Sequence, residues 1–249
     1  MSPLVPRPAR WLTLLIAALA PGLALAQRCE ARSGERPLTV VELYTSQGCS
    51  SCPPADRWLS GLNAPTDVLA LAFHVNYWNH LGWKDPFASE ATTQRQYLVR
   101  AAHAAPNVYT PQVVVNGKDH RAWWGQRAKD LPRADAAVAP GLHLVRQGNQ
   151  VTAHVAASAA SGNLAGYWAV LQDGLSSKVT RGENSGETLL NDHVVRLYQP
   201  VATWPARGAK SWQLSLPDNP PELGGMRIAF VVTDASLTRP LQALALRCG

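Results

Sequence analysis

The residues with the clearest chemical potential are two cysteines, Cys49 and Cys52, which are separated by two serines. This C-x-x-C spacing allows the thiols to form a disulfide and to exchange it with other thiols. An apolar, β-branched segment at 38–45 predicts a buried strand before the pair, and a helical pattern begins at Pro53. Cys49 would therefore lie at the N-terminus of a helix, where backbone N–H groups and the helix dipole stabilise a thiolate. We expect Cys49 to be the nucleophile and Cys52 the resolving thiol.

The first 26 residues have the composition of a secretory signal. Arg7 and Arg10 precede an apolar run at 11–20, and small residues at 24–26 provide a cleavage site. The run is too short to span a bilayer comfortably, although a retained membrane anchor is the alternative interpretation. We expect a periplasmic or secreted protein with no membrane anchor after cleavage.

Two further cysteines, Cys29 and Cys248, lie near the two ends of the predicted mature chain. In an oxidising compartment, the simplest pairing joins Cys29 to Cys248 as a structural disulfide and Cys49 to Cys52. Four cysteines allow three pairings, and the sequence alone does not choose among them.

The charge distribution gives no sign of a nucleic-acid partner. The formal net charge is +6, but the lysines and arginines are scattered and form no basic patch. No glycine-rich phosphate loop or G-x-S-x-G motif occurs either.

The elements that must position the cysteines follow the order β-α-β-α-β-β-α over residues 27–140. After the first strand and helix come a buried strand at 68–78, a helix at 86–105, a strand pair joined by the turn Asn116-Gly117, and a final helix at 125–138. This order predicts an α/β layer with parallel strands. Residues 141–249 contain short strands between turn signals, which predict a small antiparallel β-sandwich as a second domain.

Three segments of the first domain resemble the thioredoxin superfamily, and specifically a bacterial family of secreted proteins without an assigned function. They are VELYTSQGCSSCPPAD, HVNYWNHLGWKDPFAS and YTPQVVVNG, and GENSGETL at 182–189 is similar more loosely. The resemblance implies an α/β thioredoxin-like domain followed by the β-rich domain. It implies that Cys49 and Cys52 are the redox pair, and that Thr110 and Pro111 form the cis-proline loop that docks substrate.

The same resemblance matches Glu42 to the buried acid that carries a proton for the second cysteine, although Glu42 lies one residue further from the first cysteine than in the family. Two departures concern the redox pair itself. Gly48 stands before Cys49 where thioredoxins have tryptophan, and serines replace the usual Gly-Pro between the cysteines. Because the intervening residues tune the reduction potential, the direction of electron flow stays open.

Several residues near the predicted strand ends have two interpretations each. Trp78 forms either a wall of a substrate groove or the packing of an insertion on the core. His74 is either a buried strand residue or, with Cys49 and Cys52, part of a copper(I) site. Glu42 is either a proton carrier or an ordinary strand residue.

The favoured function is that of a thiol–disulfide oxidoreductase acting on protein or small-molecule thiols and disulfides. Its chemistry needs no dissociable cofactor because electrons pass through Cys49 and Cys52, and we expect a monomer. Two alternatives belong to other classes: a non-catalytic envelope binding module with a structural C-x-x-C disulfide, and a copper(I)-handling chaperone.

Overall fold

A computed structural model describes residues 28–63, 67–217 and 226–248 of the chain. The predicted signal at 1–26 lies outside the described residues.

The described chain contains two α-helices and fourteen strands. The helices are α1 (Pro53–Ser60) and α2 (Glu90–Ala102). The strands are β1 (Arg28–Arg32), β2 (Thr39–Thr45), β3 (Val68–His74), β4 (Gln112–Val115), β5 (Lys118–Asp119), β6 (Leu142–Gln147), β7 (Gln150–Val155), β8 (Asn163–Gln172), β9 (Leu175–Lys178), β10 (Thr188–Asn191), β11 (Val194–Pro205), β12 (Lys210–Ser215), β13 (Met226–Asp234) and β14 (Pro240–Leu246).

These strands form three sheets. The largest has the order β14-β13-β8-β11-β3-β2-β4-β5, the second has the order β1-β6-β7-β12, and β9 pairs with β10 as a two-stranded hairpin. In the largest sheet, β2 and β3 are parallel, whereas β2 and β4 are antiparallel. The chain thus places β2, which leads into the cysteine pair, between β3 and β4.

The predicted fold class, an α/β thioredoxin-like domain followed by a small antiparallel sandwich, is wrong. The protein is mostly β, with 43% of its described residues in strands and 15% in helices. Strands from the β-rich segment do not form a sandwich of their own, because β11 joins β3 and thereby extends the first sheet to eight strands. The proposed boundary at residue 140 stays a prediction, although both large sheets contain strands from both sides of it.

The predicted helix at 125–138 is absent from the described chain. Only a short 3-10 segment, Ala128–Asp130, occurs there. Pro132 supplies the physical reason, since it has no N–H to donate and its ring excludes a continuing helix from the residues before it.

The eight-stranded sheet is covered on both faces, which explains the long buried runs of β2, β8 and β13. On one face, alternate residues of β2, β3 and β8 form a core that also includes Val99 of α2. On the other face, α1 packs over β2, β3 and β4. The four-stranded sheet packs over the alternate residues of β8, β13 and β14.

The Cys29–Cys248 disulfide is present, and it joins the two large sheets. Cys29 is in β1 of the four-stranded sheet, and Cys248 follows β14 at the edge of the eight-stranded sheet. The two Cα atoms are 5.9 Å apart. The predicted pairing of Cys29 with Cys248 is confirmed.

Candidate functional site

The second disulfide lies between the end of β2 and the start of α1. It pairs Cys49 with Cys52, whose Cα atoms are 5.5 Å apart. Cys52 directly precedes α1, and its carbonyl accepts hydrogen bonds from the backbone N–H groups of Ala55 and Asp56. Both cysteines are buried, with exposed fractions of 1% for Cys49 and 0% for Cys52. The disulfide is therefore at a helix N-terminus, but solvent does not reach it in this conformation.

The Thr110–Pro111 peptide bond is cis and directly precedes β4, the neighbour of β2. The indole N–H of Trp78 donates to the hydroxyl of Thr110 over 2.8 Å. Trp78 also packs on the cysteine turn. A Cβ atom added to Gly48 would lie only 3.0 Å from the Cβ atom of Trp78. Trp78 thus links the Thr110–Pro111 loop to the cysteine turn. The absence of a side chain at Gly48 makes this contact possible.

Glu42 lies on the other face of the sheet from α1. Its neighbours Val41 and Leu43 pack against α1, and side chains alternate along a strand. The Glu42 carboxylate pairs with the guanidinium of Arg95 over 2.7 Å and accepts a hydrogen bond from the hydroxyl of Tyr167 over 2.8 Å. The structure therefore places Glu42 in a buried ion pair under α2 and does not bring it to the cysteines.

A different acid lies on the cysteine side of the sheet. Asp56 is in the first turn of α1, four residues after Cys52, so the two side chains share a helix face. It is 8% exposed, and its Oδ2 accepts from the hydroxyl of Thr45 over 3.2 Å. Its Oδ1 has no hydrogen-bond partner among the described residues.

His74, at the end of β3, is fully buried beside this acid and pairs with Asp85. The His74 Nδ1 to Asp85 Oδ2 distance is 2.7 Å, and the same oxygen accepts from the backbone N–H of Gln47 over 2.8 Å. The Nε2 atom of His74 has no hydrogen-bond partner among the described residues. Asp85 therefore both orients the imidazole and anchors the segment that leads to the cysteine turn.

The electrostatics of this buried group favour proton transfer near neutral pH. Burial raises the pKa of Asp56 to about 6, although His74 and the Thr45 hydroxyl act in the opposite direction. Burial alone would lower the pKa of His74, but the Asp85 carboxylate, its hydrogen bond and Asp56 outweigh that effect and raise it. Burial alone would raise the pKa of Asp85, but His74 and the backbone donors hold it below its ordinary value. Asp56 is thus an acid whose charge changes around pH 6.

The connection between β9 and β10 covers the cysteine turn. The side-chain amide of Asn184 donates to the carbonyl oxygens of Gln47 and Cys49, each over 3.0 Å. The carboxylate of Glu183 accepts from the backbone N–H of Ser50 over 2.8 Å. We call the segment that carries Glu183 and Asn184 the clasp. It holds the cysteine turn from a position more than 130 residues further along the chain.

The side chain of Gln47 also fixes the segment before the cysteine turn. The side chain of Gln47 donates to Asn191 over 3.0 Å and accepts from the indole N–H of Trp83 over 3.1 Å. Both Gln47 and Asn191 are buried. The segment before Cys49 is therefore fixed by side chains from both sides of the predicted boundary at residue 140.

The predicted site residues divide into two groups. Cys49, Cys52, Thr110, Pro111 and Trp78 meet where β2 ends and β4 begins, whereas Glu42 is on the opposite face. His74 lies near the cysteine turn, but its Nδ1 is engaged by Asp85. Within the described residues, no group of three or more His, Cys, Asp or Glu side chains is arranged to hold a metal ion.

Sequence reasoning missed the residues that surround the disulfide. In the sequence, Asp56 stands out only as the last residue of VELYTSQGCSSCPPAD, and Asp85 only as one residue of HVNYWNHLGWKDPFAS. Asn184 and Glu183 belong to the segment GENSGETL, which resembles the secreted family only loosely. That resemblance was the one available signal of the clasp.

Comparisons with known proteins identify a family but no activity. Residues 40–233 match the family model described as "Protein of unknown function (DUF1223)". No curated protein matches the chain.

Two solved structures are similar to this chain. The crystal structure of a protein from Agrobacterium tumefaciens is 27% identical, with a TM-score of 0.61, over 86% of this chain and 96% of that chain. HBP35 of Porphyromonas gingivalis is 14% identical, with a TM-score of 0.56, over 85% of this chain and 75% of that chain. The second likeness concerns the fold alone. No helix in the described ranges is both long and apolar enough to cross a membrane.

Proposed function

This chain belongs to the DUF1223 family of proteins of unknown function, and we propose that it catalyses thiol–disulfide exchange through Cys49 and Cys52 outside the cytoplasm. Two disulfides in the described chain suit an oxidising compartment, and the predicted signal at 1–26 directs the chain there. The resemblance of the cysteine motif to the thioredoxin superfamily is a further ground for this proposal.

One observation carries the proposal: a disulfide at the N-terminus of α1 is linked by Trp78 to the Thr110–Pro111 loop at the start of a neighbouring strand. A helix N-terminus stabilises the thiolate that exchange requires. The Thr110–Pro111 loop, which Trp78 links to the cysteine turn, is where an extended substrate would bind. A disulfide that served only as a staple would need neither feature.

The exchange would proceed through a mixed disulfide. A thiolate of the partner attacks Sγ of Cys49, the Cys49–Cys52 bond breaks, and Cys52 leaves as a thiolate. A second thiolate of the partner then attacks the partner sulfur in the mixed disulfide and releases Cys49. Two electrons pass from the partner to the cysteine pair, and the partner gains a disulfide. The same steps in reverse reduce a partner disulfide.

Asp56 would supply the proton that Cys52 needs when it leaves as a thiolate. Its carboxyl lies one helical turn beyond Cys52, its Oδ1 is unpartnered among the described residues, and its pKa of about 6 leaves part of it protonated near neutral pH. His74, which Asp85 holds beside Asp56, would favour the resulting carboxylate, because its interaction with Asp56 acts to lower the pKa of that acid. In this account, Asp56 takes the role that the resemblance to the thioredoxin superfamily implies for Glu42.

Exchange also requires the clasp to move. With Cys49 only 1% exposed, a partner cannot reach Sγ until the hydrogen bonds of Asn184 and Glu183 to the turn are broken. Three hydrogen bonds join the clasp to the turn, and Glu183 is itself exposed. Local opening of the clasp therefore costs far less free energy than global unfolding. A partner that binds the open form would shift this equilibrium.

The same burial favours a second candidate function, a binding module in which Cys49–Cys52 is a structural disulfide. Enclosed disulfides resist reduction and are inert. The copper(I) alternative has no such observation in its favour, because no three or more His, Cys, Asp or Glu side chains of the described residues are grouped to hold a metal ion.

A trapping experiment tests the proposal. Reduced Cys52→Ser protein, incubated with oxidised glutathione under native conditions, should form a mixed disulfide at Cys49 that mass spectrometry detects. The matched variant Cys49→Ser should form much less, because the helix N-terminus is expected to stabilise the thiolate of Cys49. If neither variant reacts in buffer while both react in urea, the thiols are closed to partners and the structural alternative replaces the proposal.

A further inference from the structure

The carboxylate of Glu183 places a negative charge of the clasp against the cysteine turn. Its Oε2 atom accepts from the backbone N–H of Ser50, the residue after Cys49, over 2.8 Å. Contacts with the backbone and the side chain of Ser50 hold the pKa of Glu183 below its ordinary value, so this carboxyl is charged at neutral pH. A full negative charge therefore binds the turn one residue from the sulfur that a partner must reach.

This charge is not balanced by a partner of opposite sign. Glu183 forms no ion pair within residues 28–63, 67–217 and 226–248. Asp85, whose carboxylate binds the backbone of Gln47, differs because it is paired with His74 at 2.7 Å. Asn184 holds the same turn with a neutral amide. Glu183 is therefore the clasp residue whose contact depends most on the charge of the turn beneath it.

The charge of Cys49 depends on its redox state. In the disulfide, its sulfur is neutral. When a dithiol reduces the pair, the dithiol gives up two electrons and two protons and becomes a disulfide, and Cys49 and Cys52 become thiols. The Cys49 thiol then releases its proton to water and becomes a thiolate. Reduction thus creates a negative charge on a residue that is only 1% exposed while the clasp is closed.

The groups that favour this thiolate belong to the turn itself, whereas those that oppose it belong to the closed clasp. The Ser51 hydroxyl lies 3.4 Å from Sγ of Cys49, and α1 begins directly after Cys52, so both stay beside the sulfur when the clasp moves. The closed clasp opposes the thiolate through the like charge of Glu183 and by keeping water from an anion. Opening removes both opposing effects.

We propose that Glu183 makes the clasp a redox-sensitive gate, which is closed over the neutral disulfide and is opened by the negative charge of the Cys49 thiolate. The coupling is reciprocal: closing the clasp disfavours the thiolate by the same factor as the thiolate disfavours closing. The inference rests on the exchange proposed for Cys49 and Cys52 and adds how that site is regulated. Reduced protein presents its nucleophile to a partner disulfide, whereas oxidised protein covers its sulfur.

The thiolate arm of the coupling is measured in the Cys52→Ser protein, which keeps Cys49 free and the Cys29–Cys248 bond intact. The rate of alkylation by iodoacetamide as a function of pH gives the pKa of Cys49. Adding Glu183→Gln should lower this pKa by about 0.5–1 unit, because it removes a like charge. Glu187→Gln changes an exposed acid of the same connection and should leave the pKa unaltered. No lowering in Glu183→Gln, or equal lowering in both variants, would overturn the gate.

Hydrogen exchange followed by mass spectrometry measures the clasp arm. Above the pKa so determined, segment 180–187 should exchange about three- to tenfold faster in Cys52→Ser than in Cys49→Ser/Cys52→Ser, which has no thiolate. With Glu183→Gln added to both proteins, the two rates should become equal. A segment that exchanges equally with and without the thiolate, while Glu183 is present, would contradict the proposal.

Neither experiment needs a partner or the Cys49–Cys52 disulfide, so the gate and the exchange function fail separately. Loss of the coupling while glutathione still forms a mixed disulfide at Cys49 would remove the gate and leave the exchange function. Intact coupling without any mixed disulfide would support the electrostatic gate and remove the exchange function.

Discussion

Replacing Asp56 by asparagine should change how the stability of the protein depends on pH. In the unfolded chain this carboxyl has an ordinary pKa of 3.8, whereas burial raises its pKa to about 6 in the folded protein. Between these values, the folded protein holds a proton that the unfolded chain has released. The resulting stabilisation is fully present below pH ~4 and is lost as the pH rises through about 6.

The size of the effect follows from the difference between the two pKa values. About two pKa units at 1.36 kcal/mol each correspond to about 3 kcal/mol. The asparagine variant has no titrating proton at position 56, so its stability lacks this dependence on pH. When the wild-type free energy of unfolding is subtracted from that of the variant, the difference should rise by about 3 kcal/mol between pH 3.5 and pH 7.5. This is an upper figure, because the variant also deprives His74 of the attraction of Asp56.

Urea unfolding of both oxidised proteins across that pH range measures the difference directly. The contributions of titrating groups that do not interact with Asp56 are common to the two proteins and cancel in the subtraction. Gln213→Ala, at an exposed position of β12, changes no titrating group, and its difference from the wild type should not vary with pH. A difference for Asp56→Asn that is also independent of pH would refute the reasoning, because Asp56 would then be an ordinary carboxylate.

Three further predictions concern other parts of the molecule. Arg95→Met should destabilise the protein by about 3–5 kcal/mol in urea unfolding, because Glu42 would remain buried without its 2.7 Å partner. Replacing both Cys29 and Cys248 by serine should lower the free energy of unfolding by about 5 kcal/mol on the chain-entropy model, because the bond closes a loop with a sequence separation of 219. Asn184→Ala should speed reduction of the second disulfide by dithiothreitol about 30-fold, because two hydrogen bonds of about 1 kcal/mol each no longer oppose opening of the clasp.

Each of these has a control. Arg100→Met, on the exposed side of α2, should cost less than about 0.5 kcal/mol, and an equal loss in both arginine variants would contradict the role of the Glu42 pair. Single serine variants at Cys29 and Cys248 should each lose nearly as much stability as the double variant. Ser185→Ala, next to the clasp contact, should leave the reduction rate unchanged, and unaltered reduction in Asn184→Ala would mean that the clasp does not limit access.

Local patterns predicted the elements closest to the cysteines. The β-branched run before Cys49 is β2, and the helix that begins at Pro53 is α1. These succeeded because neighbouring residues determine a strand and a helix start. The helix predicted at 125–138 does not form, because Pro132 lies within the predicted range and interrupts a helix. The separate sandwich failed because no local pattern reveals that Val194 pairs with Ala72 of a distant strand.

The site was predictable only where its residues carry a motif. Cys49, Cys52, Thr110 and Pro111 were found from their sequence context, and the structure places them together. Glu42 and Asp56 lie on opposite sides of the sheet. Sequence spacing alone does not show which face α1 covers, and so it does not show which of the two acids lies on the cysteine side. The clasp was beyond prediction as a contact, since hydrogen bonds from Asn184 to a turn 135 residues away depend on the tertiary fold.

The reduction potential of the Cys49–Cys52 pair tests the central claim most directly. The mature protein would be equilibrated with reduced and oxidised glutathione or dithiothreitol, with Cys49→Ser as the control that cannot form the bond. We predict a potential between roughly −120 and −270 mV, the range of disulfide oxidoreductases, and its value would indicate whether the protein oxidises or reduces its partners. A bond that stays intact below about −300 mV would be a structural disulfide and would contradict the proposed function.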